Sequence, residues 1–260
     1  MSHDPAGPRI LCWDIETAPN LGYTWGKWEQ NVLAFESEWY LLTIAWKWLG
    51  EKTTHVMGLP DFEKRYKKDP EDDYELAKLA WNLFNEADIV VAHNGVAFDT
   101  KKAQARMIIH GMDPPSSFKE VDTLNLARRH FNFTSNKLGD LCETLGIGAK
   151  VSTGGFELWR GCLRGDPACW AKMKKYNKQD VVILEELYLK LRPWSKTHPN
   201  MATMSGRYDA CPKCGSIKGM KSQGWQYNAV TMYQRFRCRE CGGEVAGRKL
   251  KRTETEYVSR

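Results

Sequence analysis

The sequence predicts an α/β domain built on a mixed five-stranded sheet flanked by helices, with a much smaller domain appended near its C-terminal end. Three observations predict it. Three strand-like apolar runs follow one another before residue 60, and strand and helix patterns alternate from there to residue 191. Four of the eight cysteines are confined to two tight pairs between residues 211 and 241. A chain of 260 residues has room for one sizeable domain and a small second one.

Each element has its own signal. Arg9–Trp13 (RILCW) is an apolar run that opens onto Asp14-Ile15-Glu16, as a buried strand does. Trp39–Leu49 and Lys52–Leu59 read as two further strands joined at Gly50-Glu51. Over Tyr74–Asn85, Leu76, Leu79, Ala80, Leu83 and Phe84 recur at helical spacing. Ile89–Ala92 is a β-branched run, followed by His93-Asn94-Gly95 and a helix from Asp99 to His110. Phe118–Val121 is the fifth strand, and Asp122 or Thr123 caps a helix through Arg129. Leu138–Leu145 is helical and stops at Gly146, and Ala168–Leu191 is a long final helix. The main domain is therefore set at 1–192. Residues 193–207 carry two prolines and no apolar period, and read as a linker.

Beyond the linker, Cys211-Pro-Lys-Cys214 and Cys238-Arg-Glu-Cys241 have the spacing with which two knuckles complete a tetrahedral zinc site. Residues 208–247 are thus expected to form a zinc ribbon, with one structural Zn²⁺ on the four thiolates and a hairpin over Trp225–Arg237. Two disulfides would need an oxidising compartment, and four thiolates leave no open position for catalysis. Cys12, Cys142, Cys162 and Cys169 sit among apolar residues, as core or near-surface thiols do. The charge divides at the same place. Residues 205–260 hold 12 Lys/Arg against 5 Asp/Glu, a net +7, and the rest of the chain is net −1. Residues 248–260 read as a basic, disordered tail. No apolar run approaches the ~18 residues of a membrane span, and the first nine residues lack the apolar core of a signal peptide. No membrane partner is expected, and the expected location is cytoplasmic, at the nucleoid or a replication site.

The acidic residues carry the chemistry. Asp14 and Glu16 lie two apart on a strand and share a face. Paired carboxylates there repel each other and are costly to desolvate unless cations neutralise them. Asp99 opens a helix, and Tyr176 and Asp180 share a face at i and i+4. An oxygen-only donor set suits Mg²⁺ or Mn²⁺. Singly, each residue has an ordinary reading as a solvated strand end, a cap or a lysine partner; five in order do not. Asp122 is the rival carboxylate, and its place before Thr123 and an apolar helix favours capping.

These residues resemble the DEDD (DnaQ-like) 3′–5′ exonucleases, which have the RNase H-like fold. Asp14-Ile15-Glu16 matches the first motif, His93-Asn94-Gly95-Val96-Ala97-Phe98-Asp99 the second, and Tyr176-Asn177-Lys178-Gln179-Asp180 the third. Lys175 stands where the histidine branch has its histidine, so the chain resembles the tyrosine branch. The resemblance runs from about Ile10 to Leu191 and implies two active-site ions, Mg²⁺ or Mn²⁺. By position Asp14 would bridge them, Glu16 and Asp180 would hold the ion carrying the attacking water, and Asp99 would support the other, partly through water. Tyr176 would orient or help deprotonate that water. His93 would orient the turn rather than act as a base. Thr17 and Asn94 would touch the terminal nucleotide, although Ala18-Pro19 departs from the family pattern beside Thr17.

The implied reaction is 3′–5′ hydrolysis of single-stranded DNA or unpaired 3′ ends to nucleoside 5′-monophosphates, with a separate polymerase or a replication or repair protein as partner. An RNase D-like trimming of RNA is the enzymatic alternative. A nucleic-acid-binding or scaffold protein with a vestigial site is the non-enzymatic one. Of the eleven tryptophans most read as core, but Trp25 and Trp28 lie in a polar stretch where rings could stack on unpaired bases. Lys101 and Lys102, just past Asp99, and Lys172, Lys174, Lys175 and Lys178 on the final helix are placed to meet phosphates. Arg235, Arg237, Arg239, Arg248, Lys249, Lys251 and Arg252, among the ribbon's aromatics, are expected to grip the polyanion.

Overall fold

The computed structural model describes residues 7–28, 31–148, 153–227 and 231–252, the last five by backbone alone. Its contacts divide the chain into two compact units, Arg9–Leu187 and Tyr188–Arg260 with Met1–Pro8.

In chain order the first unit holds β1 (Ile10–Thr17), β2 (Leu21–Tyr23), β3 (Ala34–Ser37), β4 (Leu41–Trp48) and β5 (His55–Gly58). Helices α1 (Glu63–Lys68) and α2 (Tyr74–Glu86) follow, then β6 (Ile89–Ala92), α3 (Asp99–Ile109) and β7 (Lys119–Asp122). Four helices close it: α4 (Thr123–His130), α5 (Leu138–Thr144), α6 (Glu157–Leu163) and α7, which runs from Pro167 on to Leu191. Five strands form one mixed sheet in the order β5-β4-β1-β6-β7. β4 is antiparallel to β1 and β5, while β1, β6 and β7 run parallel. This is the mixed-sheet α/β architecture that the element pattern predicts, in the RNase H-like form that the resemblance implies, and all five sheet strands lie where the sequence puts them.

β1 is central, with helices over the sheet, so Ile10–Trp13 and Ile15 are at most 3% exposed. Leu11, Trp13 and Ile15 enter the main apolar cluster, where Trp13 meets Phe84 of α2 edge-on at 4.8 Å. A ring pair of that kind adds roughly 0.5–1.5 kcal/mol beyond its buried area. The apolar spacing of α2 buries Leu76, Ala77, Ala80, Leu83 and Phe84 together. Beneath α2, Asp73 is fully buried and receives two bonds from Arg106 at 2.7 Å, one from the Leu41 amide at 2.8 Å, and a contact with His110 Nε2 at 2.6 Å.

Two features escape the sequence patterns. The β2–β3 hairpin projects Leu21, Tyr23 and Phe35 into solvent, so no inward-outward alternation marks it. The short helices α1 and α6 have too few turns for a period to register.

The second unit contains a 3₁₀ turn (Arg192–Trp194), α8 (Met201–Met204), and strands β8 (Met220–Tyr227), β9 (Thr231–Cys238) and β10 (Glu244–Arg252). The strands form an antiparallel sheet ordered β10-β9-β8, one strand more than the expected hairpin. The segment 193–207 is not a spacer here. Ser195 and Met201 are buried, the Met201 amide donates to Pro212 O at 2.8 Å, and Lys213 Nζ donates to Pro193 O. β10 also carries the backbone five residues into the expected tail, to Arg252. Of that tail, residues 253–260 and the side chains of Arg248, Lys249, Lys251 and Arg252 lie outside the described residues. No helix among the described residues is long and apolar enough to cross a membrane.

Candidate active site

Three elements bring the acidic residues together. β1 ends with Asp14 and Glu16 on one face, and α7 presents Tyr176, Asn177 and Asp180 from consecutive turns. The carboxylate oxygens of Asp14, Glu16 and Asp180 all lie within 4.8 Å of one another. That spacing, in an oxygen-only set with Asp180 buried, fits a hard divalent cation, whose charge would offset the mutual repulsion of the carboxylates.

Asp99 opens α3 and is 3% exposed. It lines the same cleft but does not join the cluster of three, because its Oδ1 accepts from the Ile15 amide at 3.3 Å. Burial pushes its pKa up to about 7, against the Ile15 N–H, which lowers it; the neighbouring Asp122 charge raises it further. Tyr176 is also buried, packing edge-on to Trp159 at 6.4 Å. Burial first, then the charges of Asp180, Glu16 and Asp14, hold its hydroxyl protonated well above the ordinary phenol range.

Asn177 is the residue the sequence reading passed over. It is fully buried, donates Nδ2–H to Asp14 Oδ2 at 2.6 Å, and accepts from Thr43 Oγ1 at 2.9 Å. Thr43 is the cross-strand partner of Glu16. One asparagine thus ties the carboxylate strand, its neighbour and α7 into one frame. Its signal was only its position between Tyr176 and Asp180.

The turn before α3 is held by Asp122, which does more than cap. It accepts from the Leu124 and Asn125 amides at the start of α4, and also from the Asn94 amide at 3.0 Å. Asn94 has φ +68°, a left-handed conformation that asparagine tolerates better than most residues, and its side chain is exposed. A Cβ on Gly95 would lie 2.4 Å from that of Ala92, so this tight turn excludes larger residues. His93 is held at both ring nitrogens, 2.9 Å from Thr123 Oγ1 and 3.0 Å from Asn136 O, in an orienting position.

The resulting cleft encloses about 540 Å³ and adds two cations absent from the sequence reading, Arg128 and Lys137. Phe98 forms a wall shared with a second, aromatic cleft of about 490 Å³, lined by Thr17, Trp39, Lys102, Phe156 and Trp159. Lys102 lies 3.7 Å from the Trp39 ring centre and 4.9 Å from that of Phe98. Lys101 is exposed and lines neither cleft; a helix turns about 100° per residue, and it is Lys102 that faces the aromatics. Trp25 and Trp28 are 89% and 74% exposed, beyond β2.

In the second unit the sulfurs of Cys211, Cys214, Cys238 and Cys241 lie within 4.8 Å of one another, with Cys211–Cys241 at 4.0 Å and Cys214–Cys238 at 3.8 Å. Tetrahedral zinc with 2.3 Å bonds requires sulfurs about 3.8 Å apart. The Glu240 and Gly243 amides point at Cys238 and Cys241 sulfur, each at 3.4 Å, as they would toward thiolates. Arg235 is occupied within the sheet, donating to Gln223 O at 2.9 and 3.3 Å. Arg237 remains exposed, 3.8 Å from Glu244.

Among the curated proteins none matches the chain. Among solved structures it is similar to the family B DNA polymerase of the hyperthermophilic archaeon Pyrobaculum calidifontis, at a TM-score of 0.53 and 18% identity. That likeness covers 76% of this chain but only 26% of the polymerase, and it concerns the fold. A profile of the RNase H superfamily matches residues 42–192, starting within β4 and running through α7. On that match, which spans more than half its length, the chain belongs to the RNase H superfamily, and membership supports a nuclease.

Proposed function

We propose that this protein is a metal-dependent 3′–5′ exonuclease of the tyrosine branch of the DEDD group, acting on single-stranded DNA or unpaired 3′ ends. The observation that carries the reading is the convergence of Asp14, Glu16 and Asp180 within 4.8 Å, beside Tyr176 and in the cleft that Asp99 lines. Two divalent ions held by Asp14, Glu16, Asp180 and, through water, Asp99 would supply an ionised water and offset charge on the attacking and leaving oxygens. The chain's own groups do the positioning. Asn177 fixes the Asp14 carboxylate, and Tyr176, kept protonated, donates its hydroxyl hydrogen to orient the nucleophile. Arg128 and Lys137 face the phosphates, and Phe98 divides the terminal nucleotide's two compartments. Thr17 and the rings of Trp39 and Phe156 take a base in the aromatic cleft, with Lys102 above them. A Zn²⁺ on the four cysteines would supply the cross-link that so small a unit needs in place of a large core.

The test is digestion of 3′- and 5′-labelled DNA and RNA of one sequence with Mg²⁺ or Mn²⁺, beside Asp14→Ala. Shortening from the 3′ end to mononucleotides, absent in the variant, is the expected result. Shortening from the 5′ end, or equal activity in Asp14→Ala, refutes the proposal, and preference for RNA makes the enzyme an RNA trimmer. Elemental analysis should find one zinc per chain, lost in Cys238→Ser.

A further inference from the structure

A cleft of about 1060 Å³ lies wholly within the second unit, between the 3₁₀ turn and the ribbon. Its size is just above the usual range for ligand clefts, about 300–1,000 Å³. Its lining is basic: Lys190, Lys196, Lys213 and Arg237 face it, against the single carboxylate of Glu244. Beside them stands Trp194, 62% exposed, although Arg192 and Ser195 on either side are only 9% and 2% exposed. The turn that carries it is fastened. The Ser195 amide donates to Arg192 O at 3.1 Å, and Lys213, from the first cysteine knuckle, donates to Pro193 O. A Cβ on Gly243, in the second knuckle, would come within 3.2 Å of Pro193 O. The indole is therefore displayed on a turn bonded by the first knuckle and closely approached by the second, so little backbone entropy is lost when something covers it.

We propose that this cleft binds single-stranded nucleic acid, with a base stacked on Trp194 and the adjoining phosphates among Lys190, Lys196, Lys213 and Arg237. A rigid aromatic face beside several cations meets the repeating base-and-phosphate pattern of an unpaired strand. An acidic peptide would satisfy the cations but has no regular flat group for the indole. The inference rests on the nuclease reading for its choice of polyanion. It assigns the grip largely to a segment that the sequence presents as a linker, and of the ribbon's Arg235 and Arg237 only Arg237 lines the cleft.

The test uses the full chain in an Asp14→Ala background, so that the probe survives. Fluorescence anisotropy with labelled single-stranded DNA and RNA oligonucleotides is measured across a salt series. Trp194→Ala should weaken binding about 5- to 150-fold, the range of one lost stacking contact. Lys196→Glu should weaken binding and lower the slope of log affinity on log salt by about 1. Lys78→Glu, an equal charge change on the exposed side of α2, should leave the slope as in the parent. Unchanged binding in both cleft variants overturns the proposal, as does an equal effect of Lys78→Glu. Binding of a polyglutamate probe that depends on Trp194, while oligonucleotide binding does not, overturns it in favour of an acidic protein partner. The two readings fail separately. Without the nuclease, the wild-type chain binds the oligonucleotide through Trp194 and leaves it intact; without the cleft, it cleaves while Trp194→Ala binds normally.

Discussion

Replacing Asn177 tests whether the site is held by a buried polar relay. Asn177→Ala removes the Nδ2–H donated to Asp14 at 2.6 Å and the acceptor of Thr43 Oγ1 at 2.9 Å. Thr43 is fully buried, so its hydroxyl would be stranded at a cost of about 1–3 kcal/mol. The bond to a carboxylate contributes about 1.5–3 kcal/mol more, partly offset because Asp14 is only partly buried and water can replace the donor. The net expectation is about 2–4 kcal/mol, or roughly 5–12 °C in Tm for a unit of this size. Thr43→Val removes the hydroxyl but leaves the buried Asn177 Oδ1 without its donor, and should cost about 1–3 kcal/mol. The two sites share one bond, so urea unfolding of both single variants and the double variant should reveal coupling of at least about 0.5 kcal/mol. Turnover should fall in Asn177→Ala even below its melting temperature, since Asp14 loses its orienting donor. Additive stabilities with unchanged kcat would refute the relay.

Three other outcomes follow from the same structure. Tyr176→Phe should lower kcat on the order of 10²-fold with divalent-ion affinity unchanged, read by calorimetric titration; equal loss of ion binding would make the tyrosine structural. Asp73→Ala leaves the Arg106 guanidinium and the Leu41 amide without their acceptor, and should cost about 3–5 kcal/mol in urea melts. A loss below 1 kcal/mol would mean that water replaces the carboxylate. His198 sits between Tyr188 hydroxyl and Pro199 O, each at 2.7 Å, and burial, with the charges of Arg192 and Lys213, lowers its pKa to about 4. The unfolded chain takes up this proton first, so stability is complete above about pH 6.5 and falls as pH drops toward 4, by roughly 2–3 kcal/mol. His198→Gln should remove that part of the acid sensitivity, and an unchanged profile would show that the imidazole is solvated.

Where a residue's neighbours in the chain dictate its environment, the structure agrees with the sequence closely. Ile89–Ala92 is a strand over the same four residues, since a β-branched run covered on both faces has no other low-energy use. Asp14, Glu16, Asp180 and the cysteine pairs were legible because each motif lies within one strand, one helix face or one turn. The β2–β3 hairpin was not, because its apolar side chains face water, and α6 was too short to show a period.

The chain alone determined the alternation of strands and helices, the three acidic motifs and the two thiol knuckles, all of which are set by periodicity over a few residues. Only the tertiary structure decided what surrounds them. It brought Thr43 and Asn177 together across 134 residues, turned Lys102 rather than Lys101 toward the aromatics, occupied Arg235 inside its own sheet, and made a spacer-like segment into the frame for Trp194. These depend on which buried polar group finds a partner and which ring is left uncovered. Such choices arise from distances between segments that composition and spacing do not encode, and they are made when the chain closes on itself.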